Sequence, residues 1–240
     1  MRRPSLNTGA IYGSPKIDLG GCVLYLPLWR AELSGSPFQS SGVYGVPTHT
    51  CTVTEATWGT YGRTFDGTDD EIVVPASSVL TLPNGFTVVA NIKFTDVTVA
   101  RYFFGIGYGV SAADDTGDMR LTAAGRIETY YNRTAGAYVG RTGTTVLNNT
   151  GFYNIVTVHT PNAFPLLYIN SVAEGATTGT TGTMASATNW KVNVGWSSYV
   201  APSRGTPMAG ITGDIFIYNR VLALSEIKTT YDATKWRYKS

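Results

Sequence analysis

FTVVANIKF, residues 86–94, is the stretch from which the fold class can be read. Successive side chains of an extended chain point to opposite faces. Phe86, Val88, Ala90, Ile92 and Phe94 therefore share one face, and Thr87, Val89, Asn91 and Lys93 share the other. This period of two predicts a half-buried strand with its Phe-flanked face on a core.

Similar runs extend in both directions. Before it come CVLYLPLW (22–29), HTCTVT (49–54), RTF (63–65) and EIVV (71–74). After it come RYFFGIGY (101–108), MRLTA (119–123), RIETYYN (126–132), AYVGR (137–141), FYNIVTVHT (152–160), PLLYINS (165–171) and WKVNVGW (190–196). GDIFIYN (213–219) is apolar on both faces, which predicts a central strand covered on each side. Pro83-Asn84-Gly85, Asp114-Asp115-Thr116-Gly117, Asn148-Asn149-Thr150-Gly151 and the segment from Gly175 to Gly182 read as turns between them. Many short strands at this spacing predict an all-β, two-sheet antiparallel jelly-roll sandwich. One short C-terminal helix is expected, with Ser225 as cap, Glu226 at its positive end and Leu224, Ile227 and Tyr231 as its apolar stripe. Residues 1–20, rich in Gly, Pro and Ser and without any period, read as an extended N-terminal arm. Residues 21–240 then form one domain, since neither a repeat nor a composition break divides them.

Composition narrows the function classes. An apolar content of 43% with a formal charge of +2 excludes a disordered chain. The basic residues are dispersed, whereas nucleic acid calls for a concentrated basic face. No run approaches the length of a membrane span, and no apolar segment follows Met1-Arg2-Arg3 as a signal peptide requires. Cys22 and Cys51 are too few for a disulfide framework; one bridge, or two buried thiols, fits each lying in a strand.

In order, these segments resemble the laminin-G-like branch of the concanavalin A-like lectin and glucanase superfamily. The resemblance rests on CVLYLPLW, then GRTFDGTDDEIVVP (62–75), FTVVANIKF, LLYIN (166–170) and GDIFIYNRVLALSEIKTTY (213–231), and it spans residues 21 to 233. It implies a two-sheet jelly roll of a kind that is mostly non-catalytic and often binds glycans. Glycosidases of the superfamily carry a Glu-x-Asp-x-x-Glu strand. None of Glu32, Glu55, Glu71, Glu128, Glu174 and Glu226 is followed by Asp at two and Glu at five. His49 and His159 are the only histidines, no nucleophile elbow is present, and His159 at a strand end reads as structural. A non-enzymatic protein is the expectation.

FDGTDDE (65–71) offers hard oxygen ligands of the kind calcium takes. Calcium-holding relatives also use an Asp at the start of the last strand, which the resemblance places at Asp214. They use an early-loop acid too, but here that loop reads Phe38-Gln39-Ser40-Ser41-Gly42 and has none. The cofactor reading is therefore either none or one structural calcium on Asp66, Asp69 and Asp214. The alternative is a tight Asp66-Gly67 turn in which Asp69 or Asp70 accepts local backbone N–H groups.

Sugars present flat C–H faces and many hydroxyls, so their sites pair aromatic rings with placed polar groups. Tyr108, Asp114, Trp196, Tyr199 and Arg204 are the candidate ligand-binding residues, with Tyr130, Tyr131, Asn132, Arg133 and Tyr138 as a second group spanning a hairpin. Expected partners are glycans or cell-surface polysaccharide, further copies of the chain, and other virion proteins reached through the arm. The corresponding location is a virion surface, or the cytoplasm before assembly, because an adhesion domain without its own export signal could reach the exterior on a particle. A free-standing carbohydrate-binding module is the alternative, and a glycosidase with atypical carboxylates is a further one.

Overall fold

The computed structural model describes residues 16–107, 115–132, 138–179, 181–182, 190–197 and 205–238. In chain order the first strands are β1 (Cys22–Pro27), β2 (Phe38–Gln39), β3 (Thr50–Thr54), β4 (Thr57–Gly59), β5 (Gly62–Asp66) and β6 (Glu71–Ser77). There follow β7 (Phe86–Phe94), β8 (Arg101–Gly107), β9 (Asp115–Leu121), β10 (Ile127–Asn132), β11 (Tyr138–Thr142) and β12 (Tyr153–His159). The chain closes with β13 (Leu166–Ile169), β14 (Val172–Glu174), β15 (Ala176–Gly179), β16 (Trp190–Val194), β17 (Ala209–Tyr218) and the helix α1 (Leu224–Thr234).

Two antiparallel sheets result. The eight-stranded sheet runs β14-β13-β12-β7-β17-β5-β4, with β1 also paired to β17. The nine-stranded sheet runs β15-β11-β10-β9-β8-β16-β6-β3-β2. The core lies between them, where Phe86, Val88, Ala90, Ile92 and Phe94 of β7 meet Phe103, Phe104, Ile106, Met119, Leu121, Trp190 and Val192 of the other sheet. No helix among the described residues is long and apolar enough to cross a membrane.

Three expectations change. β7 is buried on both faces rather than one: Thr87, Val89 and Asn91 are as enclosed as the core face. The reason is a third layer, in which Ile227 of α1, Leu222 and Val46 cover Val89, Val156, Val158, Phe216 and Tyr218 on the outside of the eight-stranded sheet. The helix cap lies two residues before Ser225. Ala223 takes the cap position and its N–H donates to Glu226 Oε2 at 2.8 Å, because burial of Ile227, Thr230 and Thr234 fixes the helix phase and leaves Leu224 exposed. Residues 176–179 form the edge strand β15 on β11 instead of a turn. All four are exposed, so no apolar alternation marks them. Central burial of β17 between β7 on one edge and β1 and β5 on the other agrees with its two apolar faces. Cys22 and Cys51 are free thiols, each pushed up to about 12 by burial.

Several polar residues are buried within this frame. Asp214, in β17, is fully buried. Its Oδ1 accepts from Trp29 Nε1 at 2.9 Å and from the Tyr25 hydroxyl at 3.2 Å. Its Oδ2 accepts from Arg237 Nη1 at 2.6 Å and from the Tyr238 hydroxyl at 2.8 Å, and that hydroxyl in turn accepts the Asp214 N–H. Burial, then the Asp214 charge, drives both tyrosines well above the ordinary phenol range. At the far end of the core, His159 is stacked on Phe86 at 4.4 Å and shares a 3.3 Å hydrogen bond with Thr129 Oγ1. Burial lowers it from 6.5 to about 3, in keeping with a structural role.

Removing one partner of a buried ion pair strands the other. Asp214→Asn is accordingly expected to lower unfolding stability in urea by about 3 kcal/mol, at the low end for such pairs because Arg237 is partly solvated. The His159 imidazole stays neutral in the fold while the unfolded one protonates. Stability should therefore fall as pH drops from about 6.5 towards about 3, by about 1.4 kcal/mol per pH unit. His159→Phe should flatten that part of the profile relative to the parent protein, as read by urea unfolding across pH.

Candidate functional site

Met119, Leu121, Ile127 and Tyr131 point into the core, so their neighbours on β9 and β10 face outward from the nine-stranded sheet. The strand register then sets Tyr102, Arg120, Glu128 and Thr142 in one row, and Gly105, Asp118, Tyr130 and Gly140 in the next. The row has complementary chemistry. Arg120 Nε donates to Glu128 Oε2 at 2.5 Å and Nη1 donates to the Tyr102 hydroxyl at 3.3 Å. The guanidinium carbon lies 5.8 Å from the ring centre of Tyr102 and equally far from that of Tyr130. Glu128 Oε1 accepts from Thr142 Oγ1 at 3.4 Å. The Tyr130 hydroxyl lies 3.2 Å from both the Tyr102 hydroxyl and Asp118 Oδ2.

Burial alone would lower the Arg120 pKa, but Glu128 and then Tyr102 outweigh it and carry it above the ordinary guanidinium value. The result is a fixed cation with part of its donor edge in solvent: its side chain is 37% exposed. Tyr138 meets Tyr130 edge-on at 6.0 Å and is 53% exposed, the most accessible ring of the group. The surface presents the exposed Tyr138 ring, the half-buried Tyr102, guanidinium donors and carboxylate acceptors across four adjacent strands, β8 to β11. Such a surface can stack on an apolar face and hydrogen-bond hydroxyls at the same time.

Of the sequence-predicted ligand residues, Trp196 is half-buried and donates from Nε1 to the Gly205 carbonyl at 2.9 Å. Gly205, at φ +68°, lies so close to the Tyr102 ring that a Cβ there would come within 2.5 Å of it. Trp196 thus fastens the chain beside Tyr102, at the start of β8. Tyr108, Asp114, Tyr199 and Arg204 lie outside the described residues. Gly107 and Asp115, which precede Tyr108 and follow Asp114, pair at the other end of β8, roughly 17 Å of strand from Tyr102. The described neighbours of the two groups, Gly107 and Asp115 on one side and Trp196 and Gly205 on the other, lie at opposite ends of β8. The hairpin expectation for Tyr130 and Tyr138 agrees with the β10–β11 ladder, but Tyr131 turns inward to the core and Arg133 lies outside the described residues. Tyr102, Asp118, Arg120 and Glu128 were not in the predicted set. The signal for them was present in MRLTA and RIETYYN, whose alternation places Arg120 and Glu128 on a common face once the strands pair across the Ala123-Ala124-Gly125 turn.

The grouping of Asp66, Asp69 and Asp214 does not form. Asp66 pairs with Ala209 at the start of β17, and Asp214 lies five residues on, roughly 16 Å away and committed to Arg237. Instead, carboxylate oxygens of Glu55, Asp69 and Asp70 lie within 4.8 Å of one another. The turn is closed by its own acids: Asp66 Oδ1 accepts the Thr68 N–H and Asp70 Oδ2 accepts the Asp66 N–H, each at 2.7 Å. These oxygens are hard donors of the right chemistry for calcium, but they supply three of the roughly six to eight ligands it takes. The calcium fit is therefore partial. Burial, then the charges of Asp66, Asp69 and Glu55, raise the Asp70 carboxyl above its ordinary range.

Residues 66–228 match the Laminin_G_3 family of the concanavalin A-like lectin/glucanases superfamily. The chain belongs to this family. No curated protein sequence matches it. Among solved structures, Trypanosoma rangeli sialidase in complex with 2,3-difluorosialic acid as a covalent intermediate is similar to this laminin-G-like chain. The TM-score is 0.67 at 17% identity, over 92% of this chain and 34% of the sialidase. A tryptophan-to-alanine variant of HCR/D is similar with a TM-score of 0.65 at 12% identity, over 89% of this chain and 52% of that one. The chain thus spans about a third of the sialidase and about half of HCR/D. At these identities the likeness is one of fold.

Like charges in the acidic turn repel, although exposure of Glu55 and Asp69 screens them. Glu55→Gln and Asp69→Asn, each alone, should raise stability by a few tenths of a kcal/mol at neutral pH in a chelated, low-salt buffer. The gain should shrink as ionic strength rises.

Proposed function

We propose that this laminin-G-like chain is a non-catalytic glycan-contact module whose contact surface is the Tyr102–Arg120–Glu128–Tyr130 face with Tyr138 at its edge. The carrying observation is the Arg120 guanidinium, held by Glu128 between two tyrosine rings on an outward sheet face. A cation already paired with a carboxylate donates to hydroxyls without demanding an anionic ligand, and the exposed Tyr138 ring with the accessible part of Tyr102 supplies the apolar surface that sugar C–H faces need. Lectin-like membership of the fold family supports the same ligand class. Glu128 is committed to the ion pair and Asp118 lies against the Tyr130 hydroxyl, so neither is a free proton donor of the kind a glycosidase requires. T. rangeli sialidase carries sialic acid in its structure, which makes sialylated glycans one arm of the test. A display role on a particle would dock through the N-terminal arm, of which residues 1–15 lie outside the described residues, and no contact among the described residues favours it over a free-standing module.

A glycan array carrying neutral hexose polymers and sialylated glycans should show retention of the protein on a subset of the neutral ones. Arg120→Ala and Tyr138→Ala should each weaken that retention by about tenfold, the worth of one charge-assisted hydrogen bond or one stacked ring. A blank array, or equal retention by both variants, would overturn the reading.

A further inference from the structure

The outside of the eight-stranded sheet is apolar where α1 crosses it, at Val89, Val156 and Val158. Two residues along the same strands, this pattern breaks. Asn91 of β7 and Asn154 of β12 face each other in register and are 2% and 3% exposed. Asn154 Nδ2 donates to Asn91 Oδ1 at 3.1 Å, which leaves Asn91 Nδ2 and Asn154 Oδ1 buried without partners. Exchanging oxygen and nitrogen in both amides gives the same outcome with the roles reversed: one free donor beside one free acceptor. Both line a cleft of about 160 Å³ beside the end of α1, with Phe152, Asn170, Tyr231 and Lys235.

We propose that this cleft is a second ligand site, separate from the Arg120 face, that takes one neutral pyranose ring through a pair of adjacent hydroxyls. A donor and an acceptor side by side match a vicinal diol, in which one hydroxyl accepts and the other donates. Phe152 is half-buried in a train of rings, 6.0 Å from Tyr61 and 4.8 Å from Tyr238, and gives the cleft a flat apolar wall for the sugar C–H face. Lys235 Nζ is held by Asp232 at 2.5 Å, so no uncompensated cation draws an anion. Two apolar residues would have continued the packing of the sheet at no hydrogen-bonding cost. Unmet amides walled by an aromatic ring are instead the arrangement of a small polar-ligand pocket.

The test is amide NMR of the full 240-residue chain titrated with methyl α-D-glucopyranoside, methyl α-D-mannopyranoside and methyl β-D-galactopyranoside. At least one of these should give saturable shifts of the Asn91 and Asn154 side-chain amide signals. The paired variant Asn91→Leu with Asn154→Val, and separately Phe152→Ala, should each weaken that binding about tenfold or more. Should the paired variant fail to fold, Phe152→Ala decides alone, since it leaves the amides in place. Absence of saturable shifts with all three glycosides would mean that the cleft holds water only and would overturn the proposal, as would undiminished binding by the variants. Retention at the Arg120 face is read independently on the array, so either site can fail without the other.

Discussion

A buried carboxylate is tolerated only where its charge is answered, and Asp214 is answered four times over, by groups from both ends of the chain. Tyr25 and Trp29 reach it from the first strand and the turn after it, and Arg237 and Tyr238 reach it from beyond the helix. The Trp29 ring also lies 3.8 Å from the Arg237 guanidinium, which places the cation between a carboxylate and an aromatic face. Family resemblance had suggested a metal ion opposite Asp214. The cation it holds is supplied by the chain itself. That substitution accounts for the placement of α1, which is anchored at one end by burial of Leu222 and Ile227 and at the other by the hub.

The two sheets divide their outer surfaces differently. The eight-stranded sheet is covered by the helix and the segment around Ile17 and Leu19, and the Asn91–Asn154 cleft opens beside the end of that helix. The nine-stranded sheet carries charged and aromatic side chains on its outer face, several of them tied to one another across the strands. Rigid strands hold those groups in register, so their geometry does not rely on loop conformation. Glycine at 105 and 140 flanks the Asp118–Tyr130 row and keeps neighbouring side chains off it.

Alternation made the long strands legible: β7, β16 and β17 were readable because each has a face that must be apolar. The short strands β2, β4, β14 and β15 escaped, since with two to four residues each they carry too little pattern, and β15 lacks any buried face at all. The outer layer was also unreadable. That Thr87 and Asn91 are enclosed follows from where α1 lands, a long-range fact that strand periodicity does not encode. The same limit applied to the candidate site. Loop residues such as Trp196 drew attention because packing did not obviously explain them, whereas Arg120 and Glu128 look like ordinary surface charges until pairing of β9 and β10 sets them side by side. The acids of FDGTDDE were read correctly as a turn in one alternative, and the wrong partner was the distant Asp214, whose position depends on the register of β17 against β5.

The placement of β1 bears on how the protein is made. Among the described residues its only ladder is with β17, and Tyr25 waits for a partner 189 residues later in the chain. Domains tend to consolidate as they emerge from the ribosome, but this one cannot close its hub until residue 238 is free of the exit tunnel. Until then the six residues of β1, all destined for burial, remain an unsatisfied apolar strand on the nascent chain. Among the described strands, β1 precedes its partner β17 by most of the domain.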